Sequence, residues 1–230
     1  MFIFAESLVF QLAQWALYIS ITILAIYLVY LLLTRAFKYL GFSDFESTII
    51  VIISFIFTFP IVIRDFDISN IALISYNGWI IGINTGGALI PILISIYLVI
   101  KRNVSWKYVA VSTLLVTIMT YFVTSVEQSQ GIVSQFPFWL LPAIVACIAS
   151  IALVKRGFSK GAVLSYSSST FGVLIGADFL HLPELLGLQP TKIGTMATIG
   201  GAVVFDLIFL TGILAVLIYG VIMYKYKPSN

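Results

Sequence analysis

From residue 11 to residue 33 the chain carries no charged side chain, a run long enough to cross a hydrocarbon core of about 30 Å as a helix. Four later runs (47–63, 86–100, 108–126 and 138–154) are equally free of charge. Two more, 161–180 and 196–224, hold one aspartate each. Soluble domains carry about 25% charged residues, whereas this chain carries 9%, too few to clothe a surface facing water. The expectation is an all-α integral membrane protein, one membrane domain over residues 1–230, crossing through seven transmembrane helices at those positions. Several runs approach the lower limit for a span and must tilt little.

The distribution of cations orients such a chain. With alternating spans, one side collects Arg35, Lys38, Lys101, Arg102, Lys107, Lys155, Arg156, Lys160, Lys225 and Lys227, and the other only Arg64 and Lys192. The positive-inside rule then puts the N-terminus out and the C-terminus in, in a multi-pass protein of the cell (cytoplasmic) membrane. A six-span arrangement spoils the asymmetry. The sequon Asn103-Val104-Ser105 falls on the inner side and is expected to carry no glycan. Residues 1–15 lack Lys and Arg and include Glu6, so the first run reads as a retained helix, not a cleaved leader. Lone Cys147 precludes an internal disulfide, and lone His181 precludes a histidine-rich metal site. No pattern calls for a cofactor or for nucleic acid; membrane lipid is the expected surrounding.

Between the second and third runs, Asn77-Gly78 joins two apolar stretches, a strong signal for a two-residue turn. This predicts a short β-hairpin over residues 71–83, on the outer side. The two halves of the chain also share punctuation. Gly41-Phe42-Ser43 and Gly157-Phe158-Ser159 precede the second and sixth runs, Asp65-Phe66 and Asp178-Phe179 close them, and Gly86-Gly87-Ala88 and Gly200-Gly201-Ala202 open the third and lie early in the seventh. The same order on matching sides points to a parallel internal repeat about an axis along the membrane normal.

Two acids stand out. A carboxylate inside a span costs roughly 2.5–3.5 kcal/mol on insertion scales, so Asp206, in the seventh run, and Asp178, near the outer end of the sixth, are candidate catalytic residues. At 100° per residue, Ser167, Thr170, Phe171, Leu174 and His181 share the face of Asp178, while Ser165, Ser169, Gly172 and Gly176 form a small-residue ridge suited to helix packing. In regular helices the two carboxyls lie at different depths. Contact requires the sixth helix to continue through Leu186, or a break at Gly200-Gly201. Asn84, Thr85, Gly86, Gly87, Gly200, Gly201 and His181 are candidate substrate- or ion-binding residues, because polar groups and helix breakers at a membrane entry can line a cavity.

The runs Ile83-Asn-Thr-Gly-Gly-Ala-Leu-Ile-Pro91, Gly176-Ala-Asp178 and Ile199-Gly-Gly-Ala-Val-Val-Phe-Asp206 resemble the prokaryotic membrane-protein family designated domain of unknown function 1614. The resemblance extends from about Gly41 to Ile218 and implies a small polytopic membrane protein, without implying an activity. A more distant likeness is to intramembrane aspartyl proteases, which place two aspartates on separate helices. Here Gly176-Ala177-Asp178 departs from their Gly-x-Gly-Asp motif, and their Pro-Ala-Leu signature is absent.

Three functions are compatible with these residues. One is an aspartyl protease-like hydrolase using Asp178 and Asp206 on a membrane-protein substrate. Another is an ion-coupled transporter or small-solute carrier. The third is an accessory subunit that meets partner subunits in a larger complex.

Overall fold

A computed structural model of the chain describes residues 2–57, 59–64, 66–127, 131–154, 157–201 and 207–224. The first helix, α1 (Phe2–Leu40), contains neither Gly nor Pro and runs unbroken until Gly41, whose φ of 93° turns the chain. There Gly41 N–H donates to the Lys38 carbonyl and Phe42 N–H to that of Phe37. Ser43 and Glu46 then form a reciprocal capping box that starts α2 (Asp44–Ile56). α2 stops well before residue 63, where the apolar run ends. Pro60 lies just beyond, and the chain enters the small antiparallel pair β1 (Val62–Ile63) and β2 (Phe66–Asp67).

The expected hairpin is present as β3 (Asn70–Tyr76) and β4 (Trp79–Asn84), one residue wider at each end. Asn77 (φ 48°) and Gly78 (φ 83°) supply the left-handed turn. The chain then passes through a π-helical turn, Thr85–Leu89, into α3 (Ile90–Lys101). α4 (Trp106–Val123) follows, then the pair β5 (Ser125–Glu127) and β6 (Gly131–Val133). A 3₁₀ turn at Phe138–Leu140 leads into α5 (Leu141–Leu153). α6 (Phe158–Val173), a second π-helical stretch at Leu174–Phe179 and α7 (Leu180–Gly187) form one continuous helical rod. After it come β7 (Thr195–Ile199) and α8 (Leu207–Ile222).

The chain is therefore mostly helical, with small sheets. Among the described residues three helices, Phe10–Leu40, Trp106–Val123 and Phe158–Gly187, are long and apolar enough to cross a membrane; Thr85–Lys101, Phe138–Leu153 and Leu207–Ile222 are apolar but shorter. The clearest departure from expectation lies in the run 196–224, taken as helix throughout. Its start is strand: β7 pairs in parallel with β4, making a three-stranded sheet in the order β3-β4-β7. Thr195, Thr198 and Ile199 are β-branched, a composition that strand accepts as readily as a membrane helix does. Hydropathy alone cannot separate the two.

α6 is the centre of the bundle, packed by α1, α3, α4, α5 and α8. Its Ser165, Ser167, Ser168, Ser169 and Thr170 are all fully buried. Ser167 and Ser169 donate to the carbonyls of Val163 and Tyr166, at 2.8 and 2.9 Å, so these two hydroxyls are satisfied within the helix. The predicted ridge meets α4. A methyl group on Gly172 would press on Val116, and one on Gly176 on Thr120 and the Thr117 carbonyl. Small residues here let the two backbones approach closely.

Candidate functional site

β4 and β7 lie side by side and parallel, and each delivers the chain to a Gly-Gly pair. The pairs meet. A side chain on Gly87 would overlap the Gly200 carbonyl oxygen, and one on Gly200 would overlap Ala88, whose backbone nitrogen would stand 2.7 Å away. This backbone crossing requires glycine on both sides. Gly200 (φ 84°) and Gly201 (φ 61°) also adopt the left-handed conformation, so the break considered at this pair is real.

Each junction is held by a polar side chain. At the first, Asn84 is 1% exposed; its Oδ1 accepts from Gly87 N–H at 2.6 Å, capping the π-helical turn, and its Nδ2 donates to Asn70 Oδ1 at 2.8 Å. Thr85 donates its hydroxyl to the Ile68 carbonyl at 2.6 Å and its N–H to that of Ser69 at 2.8 Å. Asp67 anchors the same loop, accepting from Ser69 N–H at 2.8 Å and from Asn70 N–H and Nδ2 at 3.3 Å. Burial pushes the Asp67 carboxyl up, but the hydrogen bonds from Ser69 and Asn70 outweigh it and hold the group below its usual range.

At the second junction the holder comes from another element. Asp178, on the π-helical stretch after α6, accepts from Gly200 N–H on its Oδ2 at 2.9 Å. The rod that carries it continues through Gly187, beyond the Leu186 that contact with the seventh run was expected to need. Asp178 thus sits against the segment that leads, six residues on, to Asp206. Asp206 itself lies outside the described residues.

The structure brings Asn84, Gly87, Gly200 and Asp178 into one chain of contacts, with Thr85, Gly86 and Gly201 in the adjoining turns. His181 is placed differently. It is 5% exposed, stacks on Tyr121 of α4 with centroids 4.7 Å apart, and directs its ring nitrogens at Glu184 and the Tyr121 carbonyl. Asn70, Asp67 and Ala88 belong to the junctions but were not expected from sequence. For Asn70 a signal existed: it is the register partner of Asn84 across the hairpin. A cavity of about 370 Å³ at the end of α4 is lined by Phe122, Val123, Thr124, Ser125, Gln135 and Phe138, none of them a candidate residue. Among the described residues no group of His, Cys, Asp and Glu could hold a metal ion.

Fold and site together define a helical protein of membrane type with two glycine junctions locked back to back. Residues 46–218 match the family described as protein of unknown function (DUF1614), and the chain belongs to that family. No curated protein and no solved structure matches it. The family match lends no support to the protease likeness.

Proposed function

We propose that the chain is a seven-span hydrolase of the aspartyl type in the cell membrane, N-terminus out and C-terminus in, with Asp178 and Asp206 as its carboxyl pair. The observation that carries this reading is the hydrogen bond from Gly200 N–H to Asp178 Oδ2. It supports the reading because both departures from regular helix that would bring the acids together occur: the rod runs past Leu186, and the chain breaks at Gly200-Gly201. Two carboxyls held close in a low dielectric share one proton. The ionised member takes a proton from water as that water attacks a peptide carbonyl, and the protonated member donates to the carbonyl oxygen. Asp178, which accepts the Gly200 N–H, and Asp206 share these two roles. The substrate class is a peptide segment of another membrane protein.

A photoreactive peptide isostere that mimics the tetrahedral diol tests the proposal. Labelling of the wild-type protein, lost in both Asp178→Asn and Asp206→Asn, is expected. Absence of wild-type labelling, or equal labelling of the variants, would overturn it. The paired junctions favour a second reading, an ion-coupled carrier, since carriers build midplane sites from interrupted, repeated spans. Under that reading the variants abolish ion-dependent solute uptake into vesicles and leave the isostere irrelevant.

A further inference from the structure

The cation-rich face of the molecule contains a second cavity, of about 430 Å³, between the α3–α4 and α5–α6 connections. Its wall is apolar on one side, from Val104, Leu153 and Val154, and polar on the other, from Asn103, Ser105, Tyr108 and Lys160. Val104 and Val154 are buried while Ser105, Tyr108 and Lys160 are exposed, so the cavity grades from apolar at its depth to polar at its mouth. The Ser105 hydroxyl makes no capping bond to α4, although it stands at the capping position. It is available to something in the cavity.

The charge around the rim is one-sided. Among the described residues, the stretches 101–107 and 157–160 carry Lys101, Arg102, Lys107 and Lys160 and no carboxylate. Two of these cations are engaged: Lys101 donates to the Tyr97 hydroxyl, and Arg102 donates to the Gly41 carbonyl. Among the described residues, Lys160 is the charged group that lines the cavity. Tyr108 in the cavity wall and Trp106 two residues before it are 43% and 53% exposed, the aromatic type favoured at a membrane surface. An apolar floor, a hydroxyl- and amide-lined mouth and a cationic rim at the membrane surface match one kind of molecule, a lipid with a negatively charged phosphate head.

We infer that this cavity binds the phosphate headgroup of an anionic glycerophospholipid, with Lys160 and the Ser105 hydroxyl as phosphate donors, Asn103 as a further donor, and Val104, Leu153 and Val154 against the first carbons of an acyl chain. The site is independent of the Asp178 junction and of the function proposed for it.

Native mass spectrometry of the full chain in detergent, titrated with phosphatidylglycerol or phosphatidylcholine, tests this. The wild-type protein is expected to retain phosphatidylglycerol at least fivefold better. Lys160→Gln should lose about fivefold of that preference, the value of one lysine near an anionic headgroup, whereas Lys160→Arg and the distant Lys192→Gln should keep it. Lys160 is exposed, so its variants should fold; matched melting temperatures check this, and Ser105→Ala provides a second, smaller loss. Equal retention of the two lipids, an unchanged Lys160→Gln protein, or displacement of the lipid by inorganic phosphate at equal concentration would overturn the assignment.

Discussion

The two Gly-Gly junctions have almost the same sequence and are built in different ways. After β4, the chain winds directly into a π-helical turn, and the side chain that caps it, Asn84, lies three residues away. After β7, the chain breaks with two left-handed glycines, and the group that holds it, Asp178, is 22 residues away on another helix. The first junction is capped locally, by the neutral side chain of Asn84. The second depends on a remote carboxylate, so its geometry is coupled to the position and charge of the α6–α7 rod. What the two share is the crossing itself, where backbone meets backbone at Gly87 and Gly200. One cap is local to its joint, and the other ties its joint to a different helix.

Breaking the crossing should have the largest effect. Gly200→Ala adds a methyl group against Ala88 in a left-handed conformation, and Gly87→Ala places one on the Gly200 carbonyl; each is expected to cost about 2–5 kcal/mol, read from thermal unfolding in detergent. Because the two face each other, the double variant should cost less than the sum. Gly194, equally left-handed at φ 86° but with nothing within 4 Å, provides the control, at about 1 kcal/mol.

Removing the neutral cap comes next. Asn84→Ala leaves the buried Gly87 N–H and the Asn70 side-chain Oδ1 without their Asn84 partner and should cost about 2–3 kcal/mol, with no change in labelling by the isostere once folded protein is compared. At the second junction, Asp178→Ala should cost about 1–3 kcal/mol, the range for leaving a buried donor, here Gly200 N–H, without its acceptor. Asp178→Asn keeps an oxygen for Gly200 N–H and should cost less than about 1 kcal/mol, yet abolish labelling. Separate stability and activity effects at Asp178, and only a stability effect at Asn84, would sharpen the contrast between the joints.

The smallest effect concerns the loop behind the first junction. The Asp67 carboxyl is held below its ordinary value of 3.8, so its contribution is present above that pH and is lost as pH falls through the lower folded value. Asp67 is largely solvated, so the gap between wild type and Asp67→Asn should be under about 1 kcal/mol at neutral pH. It should close in melts taken at progressively lower pH beneath 3.8.

Hydropathy made the helices legible, but it could not rank them by burial. α1 is the most apolar of the three long helices, yet only 6% of its apolar window is buried, against 72% of the corresponding window of the serine-rich α6–α7 rod. In lipid the usual inference reverses: apolar side chains on α1 can face the bilayer, and small hydroxyl residues on α6 allow close packing, Ser167 and Ser169 bonding to their own backbone. The ridge of Gly172 and Gly176 could be found because its spacing is local. The hairpin was readable from Asn77-Gly78 for the same reason. β7 was not, because a parallel strand is specified by a partner 116 residues earlier and not by its own five residues. The Asp178–Gly200 bond was hidden likewise; sequence indicated that an irregularity was needed, and only tertiary structure placed it. The shared Gly-Phe-Ser punctuation has a partial counterpart, since Gly41 and Gly157 both turn the chain at positive φ. The Asp-Phe match does not carry over: Phe66 is on a strand and Phe179 closes a π-helical stretch, while Asp65 lies outside the described residues.

The central claim is that the joint at Gly200 brings Asp178 and Asp206 together. A Cys147→Ala background leaves no native thiol, so Asp178→Cys and Asp206→Cys can be paired cleanly and oxidised in native membranes. The account predicts an intramolecular link, either a disulfide, which needs Cα atoms within about 7 Å, or a bridge through a short bifunctional thiol reagent. Two thiols that each alkylate readily and yet never cross-link would contradict it.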